Sequence, residues 1–323
     1  MKKNLFLSAA FAALALVSCN REPAPADSRP IEVTVTVQEA ASTRVTSVTS
    51  SNESKVNSLQ LFIFNGENLE DYVNAGAATS VQLTATSGSR TIWALVNAPE
   101  TKNIQTVSQL ASAITQLKDN AKDSFVMTGS ESKVLEDKGN VTVGVKRIVS
   151  KVSVKKISTN FQNSLATETL TINGIYLINV AGNNNFAVSG TPTLWLNKLQ
   201  YTSTDSNALL YDAVNATVKN GTPYNQEHAF YPYPNPTEAE TYADTWSVRH
   251  TMLVVEVTLQ NKKGYYPVEL PVLERNKTYT INELILKHRP GDVPYKPIET
   301  GDATVSITVN EWESGQLWEK YEL

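Results

Sequence analysis

The chain has a single cysteine, Cys19, in 323 residues. A disulfide within it is excluded, so its fold holds without covalent staples. Histidine is almost as scarce, with His228, His250 and His288 far apart in sequence. No HExxH, GxSxG, P-loop or EF-hand pattern occurs, so zinc, acyl-transfer, phosphate and calcium chemistry have no recognisable carrier. Charge is sparse as well. Charged residues make up 19%, below the ~25% of an average protein. The net charge is −4, and lysines and arginines are scattered singly, which leaves no basic patch for nucleic acid. Long apolar runs are also missing. The greasiest stretch, Leu5 to Val17, falls short of the ~20 residues that span a bilayer as a helix. Acidic residues stand singly or in polar segments such as "LEDKGN". The sequence therefore predicts no catalytic residue, no metal site and no cofactor. Two carboxylates brought together by a fold need no fixed spacing, so a hydrolase on a β-sandwich scaffold stands as a third alternative.

What is present begins at the amino terminus. Lys2 and Lys3 precede the apolar run, which has the length of an export signal's core. The run ends in Leu16-Val17-Ser18-Cys19, a bacterial lipobox pattern. Cleavage before Cys19 would leave its thiol to carry a diacylglyceryl group, and that lipid would be the membrane attachment. An ordinary signal that happens to contain a cysteine is the plainer alternative. About 300 residues follow, enough for two domains with real cores.

After a polar, proline-rich stem (20–30) comes "IEVTVTVQ" (31–38), which alternates strictly. Ile31, Val33, Val35 and Val37 share one face and polar residues the other, as in a half-buried strand. A Ser/Thr-rich stretch (39–54) without apolar pattern predicts a long exposed loop. "VNSLQLFIFNGENL" is a strand ending in an Asn65-Gly66 turn. "SVQLTAT" and "RTIWALVNAP" are two more, the second stopped by Pro99. Ile104, Val107, Leu110, Ile114 and Leu117 recur every three or four positions and predict one helix, with Gln, Ser and Thr on its polar face. "GNVTVGVKRIVSKVSVKKIS" (139–158) predicts one or two long strands. Later strands lie in "ETLTINGIYLINV", "TPTLWLNKL", "HTMLVVEVTLQNKKGYYPVEL", "KTYTINELILKH" and "ATVSITVNEW", with a hairpin turn at Asn261–Gly264. The expected fold is all-β with one or a few short helices. It comprises two tandem β-sandwich domains of transthyretin-like or Greek-key type, divided near residue 158. "HAFYPYPNPT" (228–237) alternates Tyr and Pro. It reads either as a stiff segment displaying its rings to a glycan or protein, or as a connection with the rings tucked in.

These stretches in order carry a resemblance. The lipobox at Cys19, the Thr-rich strand 31–38, "STRVTS", "ESKVNSLQLFIFNGE", "RTIWALVNAP", "VKRIVSKVSV", "VLERNKTYTINELIL" and "VSITVNEW" run through almost the whole chain. Together they resemble the fimbrillin family, the major shaft subunits of type V pili. Residues 180 to 250 match least well.

The resemblance implies a pathway. Residues 1–18 would be the signal and 19–44 a lipidated propeptide, followed by an N-terminal sandwich (45–158) and a C-terminal one (159–323). The precursor would reach the outer membrane by its lipid, and an Arg-specific protease would cut in the early loop. Arg44, followed by Val45, is the best site by its small Ser/Thr neighbours. Arg21 precedes Glu22 and Arg29 precedes Pro30, which proteases tolerate poorly. An ordinary surface arginine is the alternative for Arg44. The departing strand, with Ile31, Val33, Val35 and Val37, would leave a groove for a neighbour's donor strand. The carboxyl-terminal segment qualifies as donor through Val305, Ile307 and Val309, continued less regularly by Leu317, Trp318, Tyr321 and Leu323. It reads equally as the last strand of its own sandwich. A strand docked in the precursor that swings out after cleavage reconciles the two.

The implied partners are identical subunits in a filament, anchor and tip subunits, the protease, and a host glycan or protein. The implied location is a surface fimbrium. The alternative function is a lipid-anchored surface binding protein that does not polymerise, as an anchor or a tip adhesin would be.

Overall fold

The computed structural model describes residues 29–39, 53–196, 207–237, 249–297 and 303–312. The expected signal, Cys19, Arg44, Val45 and the tail residues Leu317, Trp318, Tyr321 and Leu323 lie outside the described residues. In chain order the strands of the first half are β1 (Pro30–Glu39), β2 (Leu59–Asn65), β3 (Asn68–Asn74), β4 (Ser80–Thr86), β5 (Gly88–Val96), β6 (Ile114–Gln116), β7 (Met127–Leu135), β8 (Gly139–Arg147), β9 (Lys151–Val154) and β10 (Ile157–Thr159). The second half adds β11 (Leu170–Ile178), β12 (Val180–Ala181), β13 (Asn183–Asn185), β14 (Trp195–Leu196), β15 (Tyr211–Val218), β16 (His228–Phe230), β17 (Met252–Leu259), β18 (Lys262–Glu269), β19 (Lys277–Leu286) and β20 (Ala303–Glu311). The fold is all-β with a few short helical turns, as the alternating sequence patterns require.

The first sheet runs β3-β2-β5-β7-β8-β1-β4. β7 and β8 pair only at Met127↔Arg147 and Thr128↔Lys146. Beyond that corner the sheet doubles over, and its two halves enclose one core of Val, Ile and Leu from β1, β2, β4, β5 and β8. The corner is tight: a methyl on Gly129 would lie 2.0 Å from the Gly144 carbonyl oxygen, so only glycine fits there.

The second sheet runs β10-β19-β9-β16, with β20 also paired to β19. The third runs β15-β11-β17-β18. They contribute to a second, larger core that includes Val152 and Ile281 from one and Ile172 and Val255 from the other. The same core takes in Phe62 and Phe64 of β2. That strand is buried on both faces, which is why its sequence is apolar without alternation from Leu61 to Phe64. Sheet membership changes between Arg147 and Lys151. Residues 151–154, on the first-domain side of the expected division near 158, and 157–159, which straddle it, pair with β19.

Three local expectations are corrected. The helix expected across 104–117 is only α1 (Val107–Ser112), capped by the Thr106 side chain. At Ala113 the backbone turns extended (φ −61°, ψ 137°), and β6 pairs with β13 instead. Leu110 and Leu117 are buried but Ile114 is 60% exposed, so the apolar recurrence serves a short helix and then the helical turn that follows β6. The 139–158 region is three strands rather than one or two. The β17–β18 hairpin turns at Gln260 and Asn261, both with positive φ, rather than over Asn261–Gly264 as expected. Gly264 lies within β18 opposite Val257.

Candidate assembly site

β1 lies inside the first sheet. It runs parallel to β8, from Val33↔Gly139 to Glu39↔Val145, and antiparallel to β4, from Pro30↔Thr86 to Thr36↔Ser80. Its backbone is therefore engaged on both edges. The alternating sequence places Ile31 (6% exposed), Val33 (0%), Val35 (0%) and Val37 (5%) in the core, while Glu32 and Gln38 face outward. The strand's ends are held by polar contacts. Arg29 N–H donates to Ser87 Oγ (3.2 Å), and the Arg29 guanidinium pairs with Asp137 at the surface. At the other end Glu39 forms an ion pair with Arg147 and accepts from Ser54 Oγ (2.7 Å).

β20 occupies a shallower seat. It pairs antiparallel with β19, with Val305 opposite Leu284, Ile307 opposite Ile281 and Val309 opposite Tyr279. Those three side chains pack against the large core but are only half-buried. Immediately after β20, Trp312 is buried. Its N–H donates to the Asn276 carbonyl (2.8 Å), and its indole Nε1–H donates to Glu53 Oε2 (3.0 Å). The ring stacks on Tyr231 at 5.5 Å and meets Phe125 edge-on at 5.4 Å.

The two ends meet at Arg147. Its guanidinium is paired with Glu39, donates to the Glu53 carbonyl (3.0 Å) and Ser54 Oγ (2.7 Å), and lies 4.6 Å over the Trp312 ring. Asn276, in the left-handed region at φ 57°, accepts from the Arg147 backbone N–H (3.2 Å). Glu53 Oε1 accepts from Lys151 Nζ and Tyr231 O–H, both at 2.7 Å. Burial pushes the Glu53 carboxyl up, but the Lys151 ion pair and the bonds from Tyr231 and Trp312 outweigh it and hold it below its ordinary value. Burial, with the Glu53 charge beside it, pushes the Tyr231 phenol well above its ordinary value. Arg275 braces the same corner, donating to the carbonyls of Arg147 (3.1 Å), Thr128 (3.1 Å) and Lys146 (2.5 Å).

The sequence reading did not single out Glu39, Glu53, Arg147, Asn276 or Trp312 as site residues. For Arg147 a signal existed. It continues the inward series Val141, Val143, Val145 along β8, so a charge falls on a buried face. The Tyr/Pro segment does not display its rings: Phe230, Tyr231 and Tyr233 are buried. Tyr233 O–H donates to the Gln116 carbonyl (3.0 Å). His228 is held by Asp212 (2.7 Å) and Tyr224 (2.8 Å).

Comparison with known proteins places this arrangement. Residues 30–189 match the family described as major fimbrial subunit protein (FimA). No curated protein matches the chain by sequence. Among solved structures, one from Bacteroides eggerthii described as a cell adhesion protein superposes with a TM-score of 0.69 at 17% identity, covering 88% of this chain and 97% of that one. The fimbrilin (FimA) of Porphyromonas gingivalis superposes at 0.62 and 14% identity, covering 87% and 97%. The tip fimbrial protein Mfa3 of the same species, truncated at its carboxyl terminus, superposes at 0.53 and 13%, covering 88% and 100%. These likenesses are likenesses of fold. Over residues 30–189 the chain is thus similar to the major fimbrial subunit protein (FimA) family, a structural family and not an enzyme family.

Proposed function

We propose that this fimbrial subunit is a shaft pilin, exported as a lipoprotein precursor lipidated at Cys19 and cut after Arg44. Residues 19–44 then leave with β1, and the slot is refilled by the carboxyl-terminal segment of a neighbouring subunit. The observation that carries this reading is the seat of β1. Four apolar side chains are buried at 6% exposure or less, between two strands that both pair with it. At ~1.5–3 kcal/mol for each fully buried side chain, emptying the slot exposes surface worth about 6–12 kcal/mol. It also strips the facing edges of β8 and β4 of their hydrogen-bond partners. A slot in that state favours another strand of the same pattern, whose backbone supplies affinity and whose alternate side chains set register. A head-to-tail contact of this kind does not close on itself and grows into a fibre.

In this reading the partners are identical subunits, with anchor and tip subunits at the fibre's ends. The outer membrane holds the precursor by its lipid, an Arg-specific protease matures it, and the fibre carries adhesion to a host glycan or protein. The test uses purified precursor and trypsin. Loss of residues up to Arg44 should be accompanied by a ladder of multimers, and Arg44→Ala should abolish both. A chain cut there that stays monomeric, or a mature fibre still holding residues 31–38 in every subunit, overturns the proposal.

A further inference from the structure

The last residue of β1 and the residue that closes β20 are joined through one buried guanidinium. Arg147 is 2% exposed. The carboxylate of Glu39 pairs with its Nη1, Ser54 Oγ sits at 2.7 Å from its Nη2, and its Cζ lies over the Trp312 ring at 4.6 Å. Trp312 in turn is held by Glu53, which stands one residue before Ser54. A guanidinium stacked on an indole is held by charge and by shape together. Its orientation here is set by the Glu39 carboxylate together with the neutral acceptors Glu53 O (3.0 Å), Ser54 Oγ (2.7 Å) and Asn276 Oδ1 (3.3 Å from the same Nη1).

We infer that Glu39, Arg147 and Trp312 form a latch by which β1, while it occupies its slot, keeps β20 docked on β19. Removing β1 takes Glu39 with it and leaves a buried cation without that carboxylate, a state that proteins avoid. Arg147 then turns toward another acceptor. Asn276 Oδ1, 3.3 Å from Nη1, remains but carries no charge; Glu53, whose backbone carbonyl Arg147 already contacts at 3.0 Å, is the carboxylate at hand, and Glu53 is what holds the indole Nε1–H. Either movement takes the stacking partner from Trp312 or competes for its hydrogen bond. β20, with its half-buried Val305, Ile307 and Val309, is the strand loosened. The inference rests on the proposed strand exchange for its purpose: a subunit would offer its own donor strand only after its own slot has opened, so uncut precursors would not polymerise early.

The latch is tested in the intact, uncut chain, where strand exchange plays no part. Glu39→Gln keeps the shape of the side chain and removes its charge. Amide hydrogen exchange across 305–309 should quicken about tenfold, the size of a typical coupling between linked sites. Exchange in β17 and at Val33 and Val35 should hold at the wild-type rate. In a Trp312→Ala background the same substitution should add little, because the element it acts through is gone. Unchanged protection of β20 in Glu39→Gln overturns the latch, as does equal loosening of every strand or full additivity with Trp312→Ala. The two readings fail separately. If trypsin-cut wild type assembles while Glu39→Gln leaves β20 protected, the latch is wrong and the pilin reading stands. If Glu39→Gln loosens β20 while cut wild type stays monomeric, the latch stands and the pilin reading falls.

Discussion

Val33 of β1 stands directly opposite Gly139 of the parallel strand β8, and a methyl on Gly139 would lie 3.3 Å from Val33 Cγ1 and 3.1 Å from Leu135 Cδ2. The absence of a side chain at 139 is thus part of the shape of the slot. It lets the branched side chain of Val33 sit flush against the sheet. Under the proposed strand exchange the same contact would constrain a neighbour's strand in the slot.

Gly139→Ala is therefore expected to destabilise the uncut precursor by about 1 kcal/mol. The crowded contact costs ~1–3 kcal/mol, partly offset by the ~0.4–1 kcal/mol that alanine gains by restricting the unfolded chain. The urea midpoint should fall with no change in the slope. Pairing the substitution with Val33→Ala should cost less than the sum of the two single changes, since removing two methyls opens the space that the new one needs.

Gly264 answers to a different contact. A methyl there would meet Pro290 at 2.5 Å from Cγ and 2.7 Å from Cβ, and a proline ring cannot swing aside. The adjoining Tyr265 and Gly291 are bonded backbone to backbone in both directions, at 2.8 and 2.9 Å. Gly264→Ala should cost about 2 kcal/mol by overpacking. It should also quicken amide exchange at Tyr265 and Gly291 while leaving β1 untouched.

That glycine also shows where sequence reading stops. Asn-Lys-Lys-Gly reads as a turn by composition, yet the chain turns two residues earlier and spends its glycine on a distant proline. Strand 31–38 was legible because one face is buried and the other is not, and that contrast is written directly as alternation. The 104–117 segment was misread because Leu110 and Leu117 are core residues of a short helix and a following turn, and their spacing mimics one longer helix. β7 is not legible because its middle, from Ser130 to Lys133, is exposed and polar. Its strand character comes from pairing with β5. The junction at Arg147 was half legible. Alternation along β8 places the arginine inward, but Glu39 and Trp312 come to it only when β1 and β20 are in place.

Acid should weaken the Trp312 anchor. The Glu53 carboxyl is held below its ordinary value of 4.5 in the folded chain. Such a group adds stability that is fully present above its unfolded value and is lost as pH falls through the folded one. Glu70, held down by Thr86 and Arg90 against its burial, and Glu283, held down by Lys156 and Ser158, act in the same direction. Lowering the pH from 6 toward 3 should therefore reduce the urea midpoint. Glu53→Gln should start lower at pH 6 and fall less over the same interval. An equal fall in both proteins would assign the acid sensitivity to the other two carboxylates.

Where the chain is cut at its far end should matter to a single residue. Beside the Lys277–Glu311 ion pair, the contacts that fasten the end of β20 are those of Trp312: its backbone N–H on Asn276, its indole N–H on Glu53, its ring against Tyr231 and Arg147. A chain ending at Trp312 retains all of them and should unfold within about 0.5 kcal/mol of the full-length precursor, as changes away from such features do. A chain ending at Glu311 loses a buried aromatic side chain and leaves Glu53, Tyr231 and Arg147 around a void, at a cost of about 3–5 kcal/mol. Under the proposed strand exchange the longer truncation product should fold, be cut after Arg44 and still fail to form multimers, because the segment carrying Leu317, Trp318, Tyr321 and Leu323 is gone. Multimers formed by that product would place the donor wholly within β20.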